Sequence, residues 1–460
     1  MDFTRLISRQ RAFFQTGATR SLDFRLAQLQ KLADAIAASE AELFGALQRD
    51  LGKSAQAAYA TELGPVLCEI THARRNLRSW ARPQRRRSPL LNWPARAYIQ
   101  PEPYGVVLII GPWNYPFQLL LSPLIGAMAA GCCAVLKPSE LAPHTASAVA
   151  RLVADSFSSE YIAVVPGERS VGEALLDQKF DKIFFTGSTR VGRAVLAAAA
   201  RHLTPVTLEL GGKCPCIVCS DAPIETTARR IVWGKFMNAG QTCVAPDYVL
   251  ADRAISAALV EALCRAIRAF YGECPRNSPD YGRIVNRSHF DRLVGLLGSG
   301  RVACGADHDA DDLYLAPTVL DRVALDDAVM GEEIFGPILP VLEFASLDEA
   351  LGLVRERPTP LALYLFTRDR RTQERVLAGA RSGGVCLNDT VVHAINLDLP
   401  FGGLGESGMG AYHGRSSFDC FTHYRSVLHR SLLFDPSLRY PPQRFSLQTL
   451  KRAYRFLLRG

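Results

Sequence analysis

The sequence lacks the features that mark nucleic-acid-binding, disulfide-rich and exported proteins. Its net charge is only +8 over 460 residues, and it has no basic module with interleaved aromatic residues of the kind that binds nucleic acids. Its 12 cysteines are scattered and form no disulfide framework, which favours a reducing, cytoplasmic location. The N-terminus carries no apolar run of signal-peptide length. These absences leave a composition, 48% hydrophobic and 21% charged, that is typical of globular proteins.

Paired metal-ligand spacing is also missing. Cys214, Cys216 and Cys219 lie close together, but no second half of a four-ligand set and no nearby histidine ligands accompany them. A buried strand that uses thiols as small apolar side chains is the simpler interpretation. We therefore expect no metal site.

A long uninterrupted apolar run is absent as well. Residues 119–136 come close to the length of a membrane span, but Pro123, Gly126 and Gly131 interrupt them. The stretch instead predicts a buried helix, a glycine turn and a short interior strand. This pattern is typical of a parallel sheet that is covered on both faces.

Alternating strands and helices are what the sequence has in abundance. Residues 3–80 are predicted to be helical, and apolar β runs then alternate with helical segments from residue 106 to residue 210. A second series runs from residue 215 to residue 387. Such alternation predicts parallel, doubly wound α/β sheets with ligand sites beyond the carboxyl ends of the strands. The length of 460 residues suggests two or three domains.

Seven short blocks occur in one order along the chain. They are G-P-W-N-Y-P from Gly111, K-P-S-E from Lys137, F-T-G-S-T-R-V-G from Phe185, L-E-L-G-G-K from Leu208, F-M-N-A-G-Q-T-C-V-A-P-D-Y from Phe236, E-E-I-F-G-P from Glu332 and P-F-G-G-L-G from Pro400. With these blocks the chain resembles the aldehyde dehydrogenase superfamily, and within it most closely the class 3 type, which includes fatty and aromatic aldehyde dehydrogenases.

The resemblance implies a Rossmann-like cofactor domain, a second α/β catalytic domain and a small β element for bridging and oligomerisation. The expected parts are an NAD-binding domain (1–80 and 100–208), a catalytic domain (209–390), the bridging element (81–99 and 391–430) and a basic C-terminal tail (431–460). A homodimer is the expected assembly. The tail would suit weak peripheral contact with an anionic membrane, although packing on the protein explains its composition equally well.

Residues 185–192 follow a predicted strand and open a predicted helix. Gly187 and Gly192 remove side chains where a phosphate could approach, and the helix N-terminus would favour its charge. The G-x-G-x-x-G fingerprint of dinucleotide sites is absent, and a glycine turn alone is more often only a turn. The resemblance implies that Gly187, Ser188 and Gly192 contact the cofactor.

Lys137 and Glu140 come directly after a predicted interior strand, where an ammonium and a carboxylate can hydrogen-bond ribose hydroxyls. A surface ion pair is the alternative. The resemblance implies that both bind the adenosine ribose. Glu140 would then favour NAD by repelling the 2′-phosphate, while NADP stays open. By the same resemblance Glu333 binds the nicotinamide ribose and could share proton transfer, and Phe335 lies beside the ring.

Cys243 is expected in a polar, glycine-containing turn between a predicted helix and a predicted strand. A thiol attacks as a thiolate, and a free thiol is mostly protonated at neutral pH. Glu209, acting through water, or the positive nicotinamide ring would promote ionisation. The remaining cysteines are interpreted as small core residues. The resemblance marks Cys243 as the catalytic nucleophile.

Glu209 and Asn114 are the partners expected for that nucleophile. Glu209 lies between Leu208 and Leu210, and apolar surroundings raise the pKa of a carboxyl group, which suits a general base near neutrality. Asn114 follows an apolar strand, and its amide could donate to an oxyanion together with the Cys243 N–H. A strand-end glutamate and a turn asparagine are the alternatives. The resemblance assigns Glu209 to thioester-cleaving water and Asn114 to the oxyanion.

An apolar substrate funnel is the last predicted part of the site. Its candidate walls are Trp233, Met237, Tyr115, Val391 and Phe401. Core packing is an equal explanation for each of them. Such a funnel indicates an aromatic or a medium-to-long aliphatic aldehyde. His413 is interpreted as a structural histidine.

Three other functions remain open at this point. A coenzyme A-acylating enzyme would not need Glu209. A thiol esterase would need Cys243, Asn114 and Glu209 but no cofactor, and a binding protein would need no catalytic block. The completeness of the blocks favours NAD(P)-dependent oxidation of aldehydes to carboxylic acids.

Overall fold

The computed structural model describes residues 2–89, 92, 94–435, 440–442 and 445–457, with the side chains of 456 and 457 outside that description. Its α-helices are α1 (Phe3–Gln15), α2 (Leu22–Ala38), α3 (Glu40–Leu51), α4 (Ala55–Ala58), α5 (Gly64–Trp80), α6 (Gln118–Ala130), α7 (Pro143–Ser156), α8 (Arg169–Leu176), α9 (Thr189–Ala200), α10 (Ile224–Phe236), α11 (Ser256–Tyr271), α12 (Arg287–Leu296), α13 (Ala328–Gly331), α14 (Leu347–Arg355), α15 (Arg370–Gly379), α16 (Gly414–Cys420) and α17 (Leu447–Leu457).

The strands form three main sheets and one short hairpin in the described part of the chain. They are β1 (Gln84–Arg86), β2 (Ala95–Pro103), β3 (Val106–Ile110), β4 (Cys133–Lys137), β5 (Ile162–Val164), β6 (Lys182–Thr186), β7 (Val206–Glu209), β8 (Pro215–Val218), β9 (Tyr248–Asp252), β10 (Arg301–Cys304), β11 (His308–Asp309), β12 (Tyr314–Leu315), β13 (Thr318–Asp321), β14 (Ile338–Phe344), β15 (Ala362–Phe366), β16 (Gly384–Leu387), β17 (Gly408–Met409) and β18 (Thr422–Arg430).

The first sheet has the order β17-β7-β6-β3-β4-β5. Its strands run parallel except for β17, which pairs antiparallel with β7. Strands such as β4 and β6 are buried along their whole length, as expected where helices cover both faces of a sheet. The predicted doubly wound, Rossmann-like α/β architecture is confirmed.

The second sheet has the order β10-β13-β14-β9-β8-β15-β16. Only the edge strand β10 is antiparallel. The sequence predicted the buried strands, and Cys214, Cys216 and Cys219 lie in or beside β8 as expected. It did not predict β10 and β13, because β10 is partly exposed and four-residue strands carry little periodicity.

A third sheet has the order β1-β2-β18. Its strands β2 and β18 pair in register from Pro103 opposite Thr422 to Ala95 opposite Arg430. They overlap the segments 81–99 and 391–430 expected to form the bridging element, of which 90, 91 and 93 lie outside the described residues. Assignment of these strands to a bridging element, like the other domain boundaries, stays a prediction.

The apolar run at residues 119–136 divides as its proline and glycines predicted. It forms most of α6, a turn at Gly131 with φ of 95°, and the interior strand β4. Among the described residues, none of the helices combines the length and hydropathy that crossing a bilayer requires. Of the basic tail, residues 436–439, 443, 444 and 458–460 lie outside the description, and the rest includes α17.

Candidate active site

The turn that carries Cys243 begins where α10 ends. Asn238, Ala239 and Gly240 adopt successive left-handed conformations with φ of 53°, 52° and 73°. Such a run is unfavourable for residues other than glycine. A Cβ atom at Gly240 would lie 2.2 Å from the carbonyl oxygen of Gly336, so glycine is required there. The strained turn reverses the chain and places Cys243 ahead of β9.

Gln241 holds this turn in place from within the core. Its side-chain amide donates to the carbonyl oxygens of Asn238, at 3.0 Å, and Arg283, at 2.9 Å. Its side-chain oxygen accepts the backbone N–H of Val285 at 3.0 Å. Because the residue is fully buried, these bonds are shielded from water and fix the turn against the segment before α12.

Asn114 reaches the same turn from the carboxyl end of β3. Its Nδ2 donates to the carbonyl oxygen of Gln241 at 3.0 Å, and its own carbonyl oxygen accepts Nδ2 of Asn238 at 2.9 Å. The next residue, Tyr115, forms a 2.7 Å hydrogen bond between its hydroxyl and that of Thr242. The structure thus brings the predicted oxyanion donor to the backbone next to the nucleophile, across the boundary between the two large sheets.

The thiol of Cys243 is held in its protonated form by its surroundings. Burial, and after it the charges of Glu333 and Glu209, raises the pKa of Cys243 to about 12, whereas the backbone N–H groups of Cys243 and Val244 lower it. An ordinary thiol titrates at about 8.5. The thiol therefore needs a base before it can attack, as the sequence anticipated, and both predicted carboxylates are close enough to act on it electrostatically.

Glu209 lies at the end of β7 with its carboxyl group buried. Neither carboxyl oxygen takes part in a hydrogen bond with any described residue. Burial raises the pKa of Glu209 well above its ordinary value, because a carboxylate without partners is poorly stabilised away from water. Such a group, once ionised, is a stronger base than an ordinary carboxylate, which is the property that the general base predicted from the sequence requires.

Glu333 has more charged neighbours than Glu209. Its carboxylate presses on Gly211, where a Cβ atom would lie 2.0 Å from Oε2. Burial, followed by the charge of Asp247, raises the pKa of Glu333 to about 8, while a backbone N–H and the ammonium groups of Lys213 and Lys235 oppose the rise. The Nζ atom of Lys213 lies 2.5 Å from the Asp247 carboxylate. The charges around Glu333 thus act on its pKa in opposite directions.

The predicted cofactor loop joins β6 to α9. Ser188 caps the helix by accepting the N–H of Val191 at 3.4 Å, and the N–H of Gly187 donates to the carbonyl oxygen of Glu209 at 3.0 Å. A Cβ atom at Gly192 would lie 2.7 Å from the Leu210 side chain, so this glycine lets α9 approach β7 closely. The loop therefore lies beside the candidate base.

Lys137 ends strand β4, which β3 separates from β6 in the sheet, and Glu140 follows it. The buried Lys137 ammonium donates to the carbonyl oxygen of Pro138 at 2.8 Å and to Glu140 Oε2 at 3.0 Å. Phe335, which has a positive φ of 49°, packs edge-on against Trp113 with ring centroids 5.3 Å apart. The predicted cofactor residues are therefore distributed over both sheets, and Phe335 is the one that packs beside the Asn114 segment.

Comparison with known proteins agrees with this arrangement. The family model described as the aldehyde dehydrogenase family matches residues 1–427. The chain belongs to the aldehyde dehydrogenase family. It is accordingly an NAD(P)-dependent enzyme that oxidises aldehydes to carboxylic acids.

Individual relatives cover nearly the whole of this aldehyde dehydrogenase. A 4,4′-diaponeurosporen-aldehyde dehydrogenase of Staphylococcus aureus is 47% identical over 97% of both chains. The dimeric NADP-preferring aldehyde dehydrogenase of Canis lupus familiaris is 46% identical over 95% of this chain and 97% of its own. A solved structure, the substrate-bound state of Staphylococcus aureus AldH, superposes with a TM-score of 0.97 at 46% identity, covering 99% of this chain and 100% of that one.

The predicted substrate residues of this dehydrogenase are not all in one place. Tyr115 is buried at the catalytic turn, and Val391 packs against α10 at Gly234. Phe401 stacks on His413 at 5.3 Å in a buried aromatic cluster. The half-buried Met237 directly follows α10.

Trp233, by contrast, lies at the surface. It is 41% exposed and borders a surface cavity of about 350 Å³ that is lined also by Thr226, Arg229, Arg230, Asp389 and Val392. His413 is buried, and burial lowers its pKa to about 4. It therefore stays neutral at physiological pH, in keeping with the structural role expected for it.

The sequence did not reveal three polar residues of the site. Gln241 stood inside a quoted block without an assigned role, although a glutamine beside a glycine turn is a recognisable polar signal. Lys53 and Glu62, which contact the Asn114 segment, carried no local signal. Their partners lie 55 to 61 residues away in sequence.

Proposed function

We propose that this aldehyde dehydrogenase oxidises aromatic or medium-to-long-chain aliphatic aldehydes through a covalent intermediate on Cys243. One observation carries the proposal: three groups with complementary chemistry meet at one strained turn. The thiol of Cys243 stands on the turn, and Asn114 Nδ2 donates to the carbonyl oxygen of Gln241 in the same turn. The carboxyl group of the buried Glu209 is close enough to shift the pKa of the thiol.

In the first half-reaction, Glu209 removes the thiol proton through water, and the Cys243 sulfur adds to the aldehyde carbon. The carbonyl oxygen gains the negative charge, and it accepts hydrogen bonds from Asn114 Nδ2 and from the backbone N–H of Cys243. One such donor is typically worth about 3 kcal/mol in the transition state. When the hemithioacetal collapses, the carbon loses a hydride and a thioester remains on Cys243.

The cofactor would be held by residues from both sheets. The Gly187 loop at the N-terminus of α9 suits the pyrophosphate, the Lys137–Glu140 pair suits the adenosine ribose, and Glu333 suits the nicotinamide ribose. When bound, NAD(P)+ supplies the acceptor for the hydride. Glu140 favours NAD over NADP because its carboxylate would repel a 2′-phosphate. The canine relative, by contrast, is named as NADP-preferring.

In the second half-reaction, Glu209, which has passed the thiol proton to solvent, deprotonates a water molecule that attacks the thioester carbonyl. The same two donors hold the oxygen while the thiolate leaves, and the carboxylic acid departs. The raised pKa of Glu209 supports this role, because it makes the ionised group a stronger base than an ordinary carboxylate. Glu333 is the candidate for positioning the cofactor, the role that the resemblance implies for it.

Apolar side chains support the proposed substrate class. Met237, Val391 and Phe401 would wall a funnel that ends near Trp233 and its surface cavity. The Staphylococcus aureus relative is named for 4,4′-diaponeurosporen-aldehyde as its substrate. A panel of aldehydes of increasing chain length, assayed with NAD+ and then with NADP+, tests both the substrate class and the cofactor preference.

The assembly and location of the enzyme are further proposals. The canine relative is named as dimeric, and the three-stranded sheet offers an edge for a homodimer. The scattered cysteines favour the cytoplasm. Weak contact with an anionic membrane is proposed for α17, whose exposed apolar residues alternate with cations. The residues concerned are Leu447, Leu450, Lys451, Arg452, Tyr454 and Arg455.

Substitution of the nucleophile tests the mechanism directly. Cys243→Ala is expected to abolish aldehyde-dependent NADH formation, whereas Cys68→Ala, at an exposed cysteine on α5, should leave it unchanged. Turnover that persists in the Cys243 variant would contradict the proposal. Acyl-coenzyme A formed in place of free acid would favour the acylating alternative, and ester hydrolysis without aldehyde oxidation would favour a thiol esterase.

A further inference from the structure

A buried ion pair lies behind the oxyanion donor. Nζ of Lys53 is 2.5 Å from Oε1 of Glu62, and the two side chains are 3% and 0% exposed. Lys53 follows α3 in the chain, and Glu62 lies on the π-helical turn Tyr59–Leu63. Turns of this kind occur often at functional sites.

Such a pair contributes little to stability by itself. Burial lowers the pKa of Lys53 and raises the pKa of Glu62, and the attraction between them opposes both effects. The cost of removing two charges from water commonly offsets their attraction, so that apolar residues of similar size would serve stability equally well. The remaining contacts of the pair are therefore informative.

Both members of the pair contact the segment that contains Asn114. The Lys53 ammonium donates to the carbonyl oxygen of Asn114 at 3.2 Å and lies 4.2 Å from the centroid of the Tyr115 ring. Oε2 of Glu62 accepts the backbone N–H groups of Phe117, at 3.2 Å, and Gln118, at 2.8 Å. One pair thus holds residues 114–118 at both ends.

These contacts restrict the orientation of the Asn114 side chain. The Asn114 carbonyl oxygen accepts hydrogen bonds from Lys53 and Asn238, and its Nδ2 donates to Gln241. With backbone and side chain both tied, the amide has little freedom to rotate away from the turn. A displacement of about 1 Å in such a group can reduce a rate by about 100-fold.

We propose that Lys53 and Glu62 are positioning residues, which act through Asn114 to hold the oxyanion donor against the catalytic turn. The inference rests on the proposed role of Asn114. The double variant Lys53→Met/Glu62→Gln removes both charges and leaves neither uncompensated. We expect its kcat to fall about 10- to 100-fold, while KM and the Kd for NAD+ change less than about threefold.

A double-mutant cycle with Asn114→Ala identifies the path of the effect. If the pair acts through Asn114, the added change Lys53→Met/Glu62→Gln should lower the residual kcat of the Asn114→Ala enzyme by less than about twofold. A full multiplicative loss in that background would overturn the proposal. Activity retained by Asn114→Ala alone would instead contradict the proposed function, so the two failures are distinguishable.

Arg25 provides a matched control, because it contacts the C-terminal end of α6, the helix whose first residue Glu62 contacts. Its buried guanidinium donates to the carbonyl oxygens of Thr19, at 2.8 Å, and Ala129, at 3.3 Å, where α6 ends. Arg25→Met should lower the Tm and leave kcat unchanged, because it loosens α6 away from Asn114. An equal fall in kcat in this variant would show a general structural effect and would overturn the proposal.

The conservative variant Glu62→Asp covers the case in which the double variant does not fold. It keeps the charge but shortens the side chain, so the hydrogen bonds to Phe117 and Gln118 should weaken while the pair persists. We expect a smaller fall in kcat, about three- to tenfold on the same scale, with an unchanged KM. Wild-type kcat in a folded Glu62→Asp enzyme would contradict the proposal.

Discussion

The two sides of the catalytic turn treat buried charge in opposite ways. On the Asn114 side, Lys53 and Glu62 form an ion pair at 2.5 Å, and both also form hydrogen bonds with backbone groups of residues 114–118. On the other side, Glu209 is equally buried but takes part in no side-chain hydrogen bond with any described residue. The difference separates two tasks, since a fully partnered charge fixes geometry and an unpartnered carboxyl can change its protonation state.

The physical basis of this difference is desolvation. A buried charge is tolerated when a partner of opposite sign and sufficient hydrogen bonds replace water. Without them, the carboxyl group lowers its cost by keeping its proton, which is why burial raises the pKa of Glu209. The same property that makes Glu209 costly to ionise therefore makes it a stronger proton acceptor than an ordinary carboxylate.

The largest expected effect concerns the unpartnered side. Glu209→Gln removes the proposed base without changing the size of the side chain, so steady-state turnover should fall about 10²- to 10⁴-fold. Because Glu209 is the proposed base for both the thiol and the water, NADH formation in the first turnover and in the steady state should both slow, which stopped-flow absorbance of NADH measures. Unchanged turnover would remove Glu209 from the mechanism.

For the Lys53–Glu62 pair, the first expected effect is on the free energy of unfolding. Lys53→Met alone leaves the Glu62 charge buried without its partner, and the free energy of unfolding should fall by about 3–5 kcal/mol. The double variant Lys53→Met/Glu62→Gln should lose less than Lys53→Met alone, because it leaves no isolated charge. Denaturant unfolding measures both, and a double variant that is the less stable would show that the pair itself is strongly stabilising.

The pH dependence of stability should differ between the wild type and Glu209→Gln. The folded wild type keeps Glu209 protonated to a higher pH than the unfolded chain does, so its relative stability is greatest below the unfolded pKa and falls as pH rises. Between the unfolded and folded pKa values, the variant should gain about 1.4 kcal/mol per pH unit over the wild type. Parallel stability curves from pH 5 to pH 8 would contradict a raised pKa.

The smallest expected effect is the loss of a single hydrogen bond on the partnered side. Tyr115→Phe removes the hydroxyl that lies 2.7 Å from Thr242 Oγ1 and should cost about 1 kcal/mol of unfolding free energy. Since Lys53 also contacts the aromatic ring, which phenylalanine retains, the ion pair should persist. A loss comparable to that of Lys53→Met would mean that the hydroxyl organises the whole segment.

Local sequence patterns predicted much of the fold. Apolar runs such as those of β3, β6 and β15 marked the buried parallel strands, because a strand covered on both faces must be apolar along its length. The helix α10 (Ile224–Phe236) lies within the second alternating series predicted from residue 215 to residue 387. Short strands with mixed exposure, such as β10 and β13, escaped prediction because so few residues carry no clear period.

Cys243, Asn114 and Glu209 could be predicted individually, because each lies in a distinctive block next to a predicted strand or turn. The contacts of Lys53 and Glu62 with residues 114–118 could not be predicted. Lys53 binds Asn114 from 61 residues away, Glu62 binds Phe117 from 55 residues away, and the Asn114 bond to Gln241 spans 127 residues. Nothing in the local sequence of Lys53 specifies that its ammonium will be buried beside a carboxylate.

The sequence by itself therefore determined the α/β architecture and the family and led to the proposal of the reacting groups, since periodicity and motif are local properties of the chain. Tertiary structure decided which of the buried polar groups are partnered. Desolvation depends on which residues from distant segments surround a group. Only the packing of the two sheets against one turn left the Glu209 carboxyl without a hydrogen-bond partner among the described residues while placing Lys53 and Glu62 behind Asn114.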